Sequence, residues 1–164
     1  MVEHTRAAGM NHVGLTVGDI DQAVSWYGSV FGLRLLAGPM LCDTTTAGAA
    51  RRGDVFGHRW QAMKLAHMQT GSSCGLELFQ FIEPEGVPRQ DNFEYWTFGA
   101  HHVAFTVGDI DESLRKITGN GGRARTGVYD VHGGSFVCYC EDPWGNVIEI
   151  VSKPYAELSA ATAV

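Results

Sequence analysis

The strongest constraint on this chain is a phrase written twice. Asn11-His12-Val13-Gly14-Leu15-Thr16-Val17-Gly18-Asp19-Ile20-Asp21 returns ninety residues later as His101-His102-Val103-Ala104-Phe105-Thr106-Val107-Gly108-Asp109-Ile110-Asp111. From the first shared histidine onward eight of ten paired positions are identical, which marks an internal duplication. Each copy closes on a second related phrase, Gly75-Leu76-Glu77-Leu78-Phe79 and Val147-Ile148-Glu149-Ile150-Val151, a glutamate inside an apolar run. Each half therefore supplies one histidine near its start and one glutamate near its end.

The pattern around these phrases predicts strand, helix, strand in both halves. His12 to Val17 is β-branched and apolar and reads as a short buried strand. Asp19 stands three residues before Gln22, a capping pattern, and Ile20, Ala23, Val24, Tyr27, Val30 and Phe31 then recur at helical spacing until Gly32. Leu33 to Leu36 opens the next strand. The second copy repeats this plan with a strand from His102 to Val107, Asp109 as cap, and Ile110, Ser113, Leu114 and Ile117 on one helix face before the turn Gly119 to Gly122. Two further strands, Ser135 to Glu141 and Asn146 to Lys153, form a hairpin around Asp142-Pro143-Trp144-Gly145, and Trp60 to Met68 with Gly75 to Phe81 are their counterparts.

The resulting organisation is a first module at 10–81, a linker at 82–100 broken by Pro84, Gly86 and Pro88, a second module at 101–153, and a small-residue tail at 154–164. The histidine-to-glutamate interval is 65 residues in the first half (12 to 77) and 47 in the second (102 to 149). The surplus of 18 falls around 38–57, a Gly/Ala/Thr-rich stretch expected to be an inserted loop.

Bulk properties exclude several classes. A net charge of -6 speaks against a nucleic-acid partner, and no apolar run approaches the roughly 20 residues of a membrane span. Met1 to Arg6 lack the apolar region of a secretory signal, so a cytoplasmic location is expected. Cys42, Cys74, Cys138 and Cys140 show neither C-x-x-C spacing nor a disulfide framework and read as small buried hydrophobes.

A carboxylate buried without a partner is expensive and normally finds a cation or a metal. One histidine or one glutamate in a strand means little, but here the coincidence recurs at equivalent positions of a duplicated unit. If the units pack about a pseudo-twofold axis, both histidines and both glutamates can converge on one point. Such an N2O2 set suits Zn, Fe, Ni, Co or Mn better than Mg or Ca.

The duplicated order, the helix text Asp21, Trp26-Tyr27 and Phe31-Gly32-Leu33, and the closing Asp142-Pro143-Trp144-Gly145-Asn146-Val147-Ile148-Glu149 resemble the vicinal oxygen chelate superfamily. That group includes glyoxalase I, methylmalonyl-CoA epimerase, extradiol dioxygenases and the fosfomycin and bleomycin resistance proteins. The resemblance covers roughly residues 10 to 153. It implies an α+β, glyoxalase-like fold in which paired βαβββ modules form a curved mixed sheet around a metal-binding cavity. It further implies one divalent transition metal held by His12, Glu77, His102 and Glu149, a small-molecule substrate bound through adjacent oxygens, and a homodimer.

The His/Glu/His/Glu set is similar to the glyoxalase and epimerase branches, isomerases and lyases in which a metal-stabilised enediolate forms on a small carbonyl substrate. Glu77 or Glu149 would then be the catalytic base. The doublet His101-His102 is similar to methylmalonyl-CoA epimerases, although Glu77 stands where those carry Gln. Leu78-Phe79-Gln80-Phe81 departs from the polar run of glyoxalase I, which speaks against lactoylglutathione as substrate. Extradiol-type dioxygenases use two histidines and one glutamate on Fe(II), a subset available here as His12 or His102 with Glu149, and Glu77 would then crowd a position dioxygen needs. A metal-free binding or resistance protein would have no need of all four ligands.

Outside this set, His101 is turned by strand alternation to the face opposite His102 and is expected to be structural. Phe93, Tyr95, Trp96 and Phe98 are expected to pack between the modules, the alternative being that they line the substrate cavity. His58 and His132 read as loop residues, with Arg51, Arg52 and Arg59 as candidates for an anionic substrate group.

Overall fold

The computed structural model describes residues 8–90 and 92–161. Met1 to Arg6, read above for a signal, and the last three residues of the tail lie outside the described residues. The first half runs β1 (His12–Thr16), α1 (Ile20–Phe31), β2 (Arg34–Asp43), α2 (Ala49–Phe56), β3 (Ala62–Gln69) and β4 (Gly75–Glu83). The second runs β5 (Val103–Thr106), α3 (Ile110–Gly119), β6 (Arg123–Ala124), β7 (Tyr129–His132), β8 (Ser135–Glu141) and β9 (Val147–Val151), followed by α4 (Tyr155–Ala161).

Each half builds its own mixed sheet. The strand order is β1-β4-β3-β2 in one and β5-β9-β8-β6 in the other, with β7 also beside β8. In both, the first strand lies parallel to the last, while the hairpin pairs are antiparallel.

The duplicated phrase produces duplicated local geometry. Asp19 and Asp109 cap α1 and α3 with nearly identical backbone angles, φ −141° and ψ 114° against φ −140° and ψ 115°. Their carboxylates accept from the third residue on, Gln22 N at 2.9 Å and Glu112 N at 2.7 Å. Such a cap satisfies one of the amides a helix start leaves unpaired. At the other end of α1, Gly32 adopts φ 70°, which glycine reaches without the Cβ penalty, and its N–H closes on Gly28 O at 3.0 Å.

One core joins the halves. Ile20, Ala23, Trp26, Tyr27 and Val30 of α1 meet Leu76 and Leu78 of β4, Ile110 and Ile117 of α3, and Ile148 and Ile150 of β9. Burying each isoleucine contributes about 1.5–3 kcal/mol relative to leaving it in water. Phe31 stacks on Phe105 at 4.3 Å, tying the end of α1 to β5.

The Asp142-Pro143-Trp144-Gly145 turn is the polar counterpart of this joint. The Asp142 carboxylate accepts from Trp144 N (2.9 Å), Asn146 N (2.8 Å), Asn146 Nδ2 (2.8 Å) and the Tyr27 hydroxyl (2.9 Å). Asn146 Nδ2 also donates to Thr16 O at 3.0 Å. Burial pushes Asp142 up from the ordinary carboxylate range against the pull of these donors.

Several expectations change. The 38–57 stretch is an insertion but not a plain loop, because β2 runs on to Asp43 and α2 fills Ala49–Phe56. Phe56 seats α2 against Trp60, Phe79 and Phe81, a tertiary contact that helix propensity around Gly53 does not announce. The second strand of the second half is split into β6 and β7, since Arg125 N and Thr126 N both turn to Tyr139 O. β1 is half exposed rather than buried, because it lies at a sheet edge. The expected tail forms α4, whose first turn closes on Pro154 O. Among the described residues no helix is long and apolar enough to cross a membrane.

Candidate metal centre

Strand alternation decides which way the candidate ligands face. Leu76, Leu78, Ala66, Met68, Cys138, Cys140, Ile148 and Ile150 belong to the shared core. Glu77, His67, Tyr139 and Glu149 therefore lie on the opposite faces of their sheets.

In the first half His12 Nε2 stands 3.5 Å from Glu77 Oε2. In the second His102 Nε2 stands 3.2 Å from Glu149 Oε2. Each half thus brings its histidine to its glutamate, with the same ring nitrogen toward the carboxylate. The glutamate side chains are 25% and 13% exposed, so neither is sealed from solvent or substrate. Gly75 makes room for the first pair, since a Cβ there would lie 2.9 Å from His12 Cβ.

The structure keeps the two pairs apart within one chain. Among the described residues no three His, Cys, Asp or Glu side chains are gathered so as to hold a metal ion. A large open crevice lies between the edge strands β1 and β5, but of the four predicted ligands only His102 lines it.

Supporting residues emerge that sequence reasoning missed. His67 Nδ1 lies 3.2 Å from the other oxygen of Glu77, and β3 and β4 place His67 directly opposite that glutamate. Tyr139 stands opposite Glu149 in β8 and β9 in the same way. Both precede their glutamate by ten residues (77 less 67, 149 less 139), a matched interval that the sequence displays. Burial, then the Glu149 carboxylate, pushes the Tyr139 hydroxyl up to about 12, so it remains a protonated donor at neutral pH.

The histidines are held from behind as well. Asn11 Oδ1 accepts from His12 Nδ1 at 2.7 Å. Tyr95, from the linker, brings its hydroxyl to 3.5 Å from His102 Nδ1 and stacks at 5.9 Å on that ring.

His101 donates through Nε2 to Thr97 O at 2.7 Å and stacks on Tyr95 at 4.9 Å; it and His102 both precede β5 and share the Tyr95 ring, so strand alternation does not separate them. Phe93 packs against Tyr95, Tyr139 and the Arg125 guanidinium, on the second module rather than between the two. Trp96 and Phe98 instead face solvent. His58 and Arg59 are exposed beyond α2, and Arg52 is turned onto Ala47 O. His132 ends β7. The buried Cys138 and Cys140 sulfurs lie 3.7 Å apart, and burial, then Cys138, pushes the Cys140 thiol up, which keeps it protonated at neutral pH.

Comparison with known proteins agrees with this architecture. Residues 9–150 match the sequence model of the Glyoxalase/Bleomycin resistance protein/Dioxygenase superfamily. The chain is 29% identical over 159 residues to a 2-epi-5-epi-valiolone epimerase of an Actinomyces species, covering 90% of this chain and 81% of that one. It is 29% identical over 144 residues to the lactoylglutathione lyase of Haemophilus influenzae, covering 87% and 90%. The crystal structure of a glyoxalase family protein from Bacillus cereus superposes with a TM-score of 0.73 at 24% identity, covering 92% and 97%.

Proposed function

We propose, since the chain belongs to the glyoxalase/bleomycin resistance protein/dioxygenase superfamily, that it is a divalent-metal-dependent isomerase or lyase acting on a small carbonyl compound. The relatives named as an epimerase and a lyase support the reaction class. The observation that carries the reading is the His–Glu pair repeated in both halves on corresponding sheet faces.

The donor chemistry fits a transition metal. Each pair offers one imidazole Nε2 and one carboxylate oxygen, both partly open to solvent, and Asn11 engages the Nδ1 of His12 so that its Nε2 is left for coordination. His12, Glu77, His102 and Glu149 would hold the ion. When bound, such an ion supplies a Lewis acid that polarises a carbonyl and makes the neighbouring C–H acidic. Glu77, the more open carboxylate, is the group to take that proton, with His67 holding its second oxygen. Glu149 lies deeper, beside the protonated Tyr139 hydroxyl, and serves as the fixed ligand.

The complete centre forms between two copies, the first-half pair of one meeting the second-half pair of the other. Three features support this: the pairs stay apart in one chain, they lie on faces turned from the shared core, and β1 and β5 are edge strands. A C2 dimer would then carry two equivalent centres.

Metal content by plasma mass spectrometry tests both parts, on the parent, His12→Ala, His102→Ala, and the two variants co-expressed. The parent should hold about one equivalent per chain and each variant alone very little. The mixed dimer should recover one centre, because one of its two sites then combines intact halves. No uptake by the loaded parent overturns the metal-dependent reading. Uptake by the parent without recovery in the mixed dimer overturns only the two-copy centre.

A further inference from the structure

The two half-sites share their ligands but not the means of holding them. Asn11, immediately before His12, fixes that ring through Nδ1 at 2.7 Å. Its counterpart in the repeat is His101, which cannot do the same work for His102. His101 Nε2 is committed to Thr97 O at 2.7 Å, and its ring lies flat against Tyr95, at 4.9 Å and 18°.

Tyr95 is the residue that faces the Nδ1 side of His102 instead. Its hydroxyl faces His102 Nδ1 at 3.5 Å, longer than an ordinary hydrogen bond and close enough to steer the ring. Its ring stacks on His102 at 5.9 Å and 22°, while Tyr139 meets the same imidazole edge-on at 5.4 Å. The imidazole is thus clamped between two phenols with Nε2 left toward Glu149.

Tyr95 does not belong to the second module by sequence. It comes from the linker, which is pinned by Asn92 Nδ2 to Glu141 Oε1 at 3.1 Å and to Gly145 O. Glu141, almost fully buried, also receives Arg123 and Arg125, and Arg125 lies 3.9 Å over the Phe93 ring. The segment carrying Tyr95 is therefore anchored at Asn92 and at Phe93.

We infer that Tyr95 is a positioning residue for the metal centre: through His101 and the anchored linker it does for His102 what Asn11 does for His12. The inference rests on His102 being a metal ligand. Residues that orient a ligating imidazole typically matter about 10–100-fold in metal affinity.

The test uses Co(II) as probe, because its visible spectrum reports coordination and its affinity can be read by competition with a chelating dye. Four proteins are compared: the parent, Tyr95→Phe, His101→Asn, and Tyr95→Phe/His101→Asn. Tyr95→Phe keeps the ring and should fold as the parent does by circular dichroism, yet bind Co(II) about 10-fold more weakly. The double variant writes the first-repeat phrase Asn-His-Val into the second repeat and should regain most of that affinity and the parental spectrum. A purely structural Tyr95 would not be rescued by an asparagine six residues away. Parental affinity and spectrum in Tyr95→Phe, or loss without rescue, overturn the inference while leaving the metal-dependent reading intact. A parent that takes up no Co(II) overturns both.

Discussion

Tyr27→Phe probes the joint between the halves. The substitution removes one hydroxyl and leaves the packing of a fully buried ring. That hydroxyl donates at 2.9 Å to Asp142, itself 2% exposed. A buried hydrogen bond to a charged group contributes about 1.5–3 kcal/mol. Asp142 keeps three other donors, from Trp144 and Asn146, so the lower end applies, about 1.5–2 kcal/mol. For a chain of this size that is a fall of roughly 3–8 °C in Tm.

The cost also depends on pH. Burial raises Asp142 above the ordinary carboxylate range, so the folded state binds the proton more tightly than the unfolded chain. This contribution to stability is fully present below the unfolded pKa and is lost as pH rises through the folded one. Tyr27 favours the ionised carboxylate; without it the folded pKa moves higher and more stability is lost on reaching neutrality. Urea unfolding followed by tryptophan fluorescence should therefore show a larger deficit for Tyr27→Phe at pH 7 than at about pH 4. A deficit under about 0.5 kcal/mol at pH 7, or one equal at both pH values, would refute the reasoning.

Two further substitutions address the site. Gly75→Ala places a Cβ 2.9 Å from His12 Cβ and should weaken Co(II) binding about 10-fold by displacing that ring, whereas Gly71→Ala, with nothing within 4 Å, should bind as the parent does. Tyr139→Phe removes a phenol that ionises only at about 12, so its phenolate absorbance should match the parent's at neutral pH and diverge from it only in strong alkali.

The duplication carried most of the fold. Two caps with matching dihedrals, two helices on one core and two His–Glu pairs follow from repeated residues, because capping and strand alternation are local properties. α2 was hidden, since what holds it is Phe56 against rings on β3–β4 and the turn before it, contacts between distant parts of the chain. The helical tail after Pro154 was hidden for a different reason: a proline that ends a strand can equally begin a helix.

The sequence by itself singled out four residues and placed one histidine and one glutamate in each half. The tertiary structure decided how the pairs are supported and how they stand to each other. His67 and Tyr139 become partners of the glutamates only through hairpin register, and Tyr95 reaches His102 only because Asn92, Phe93 and Glu141 anchor the linker. The separation of the two pairs is likewise a property of packing: the apolar faces of both sheets and both helices close on one core, and hydrophobic burial has no regard for where the polar faces end up.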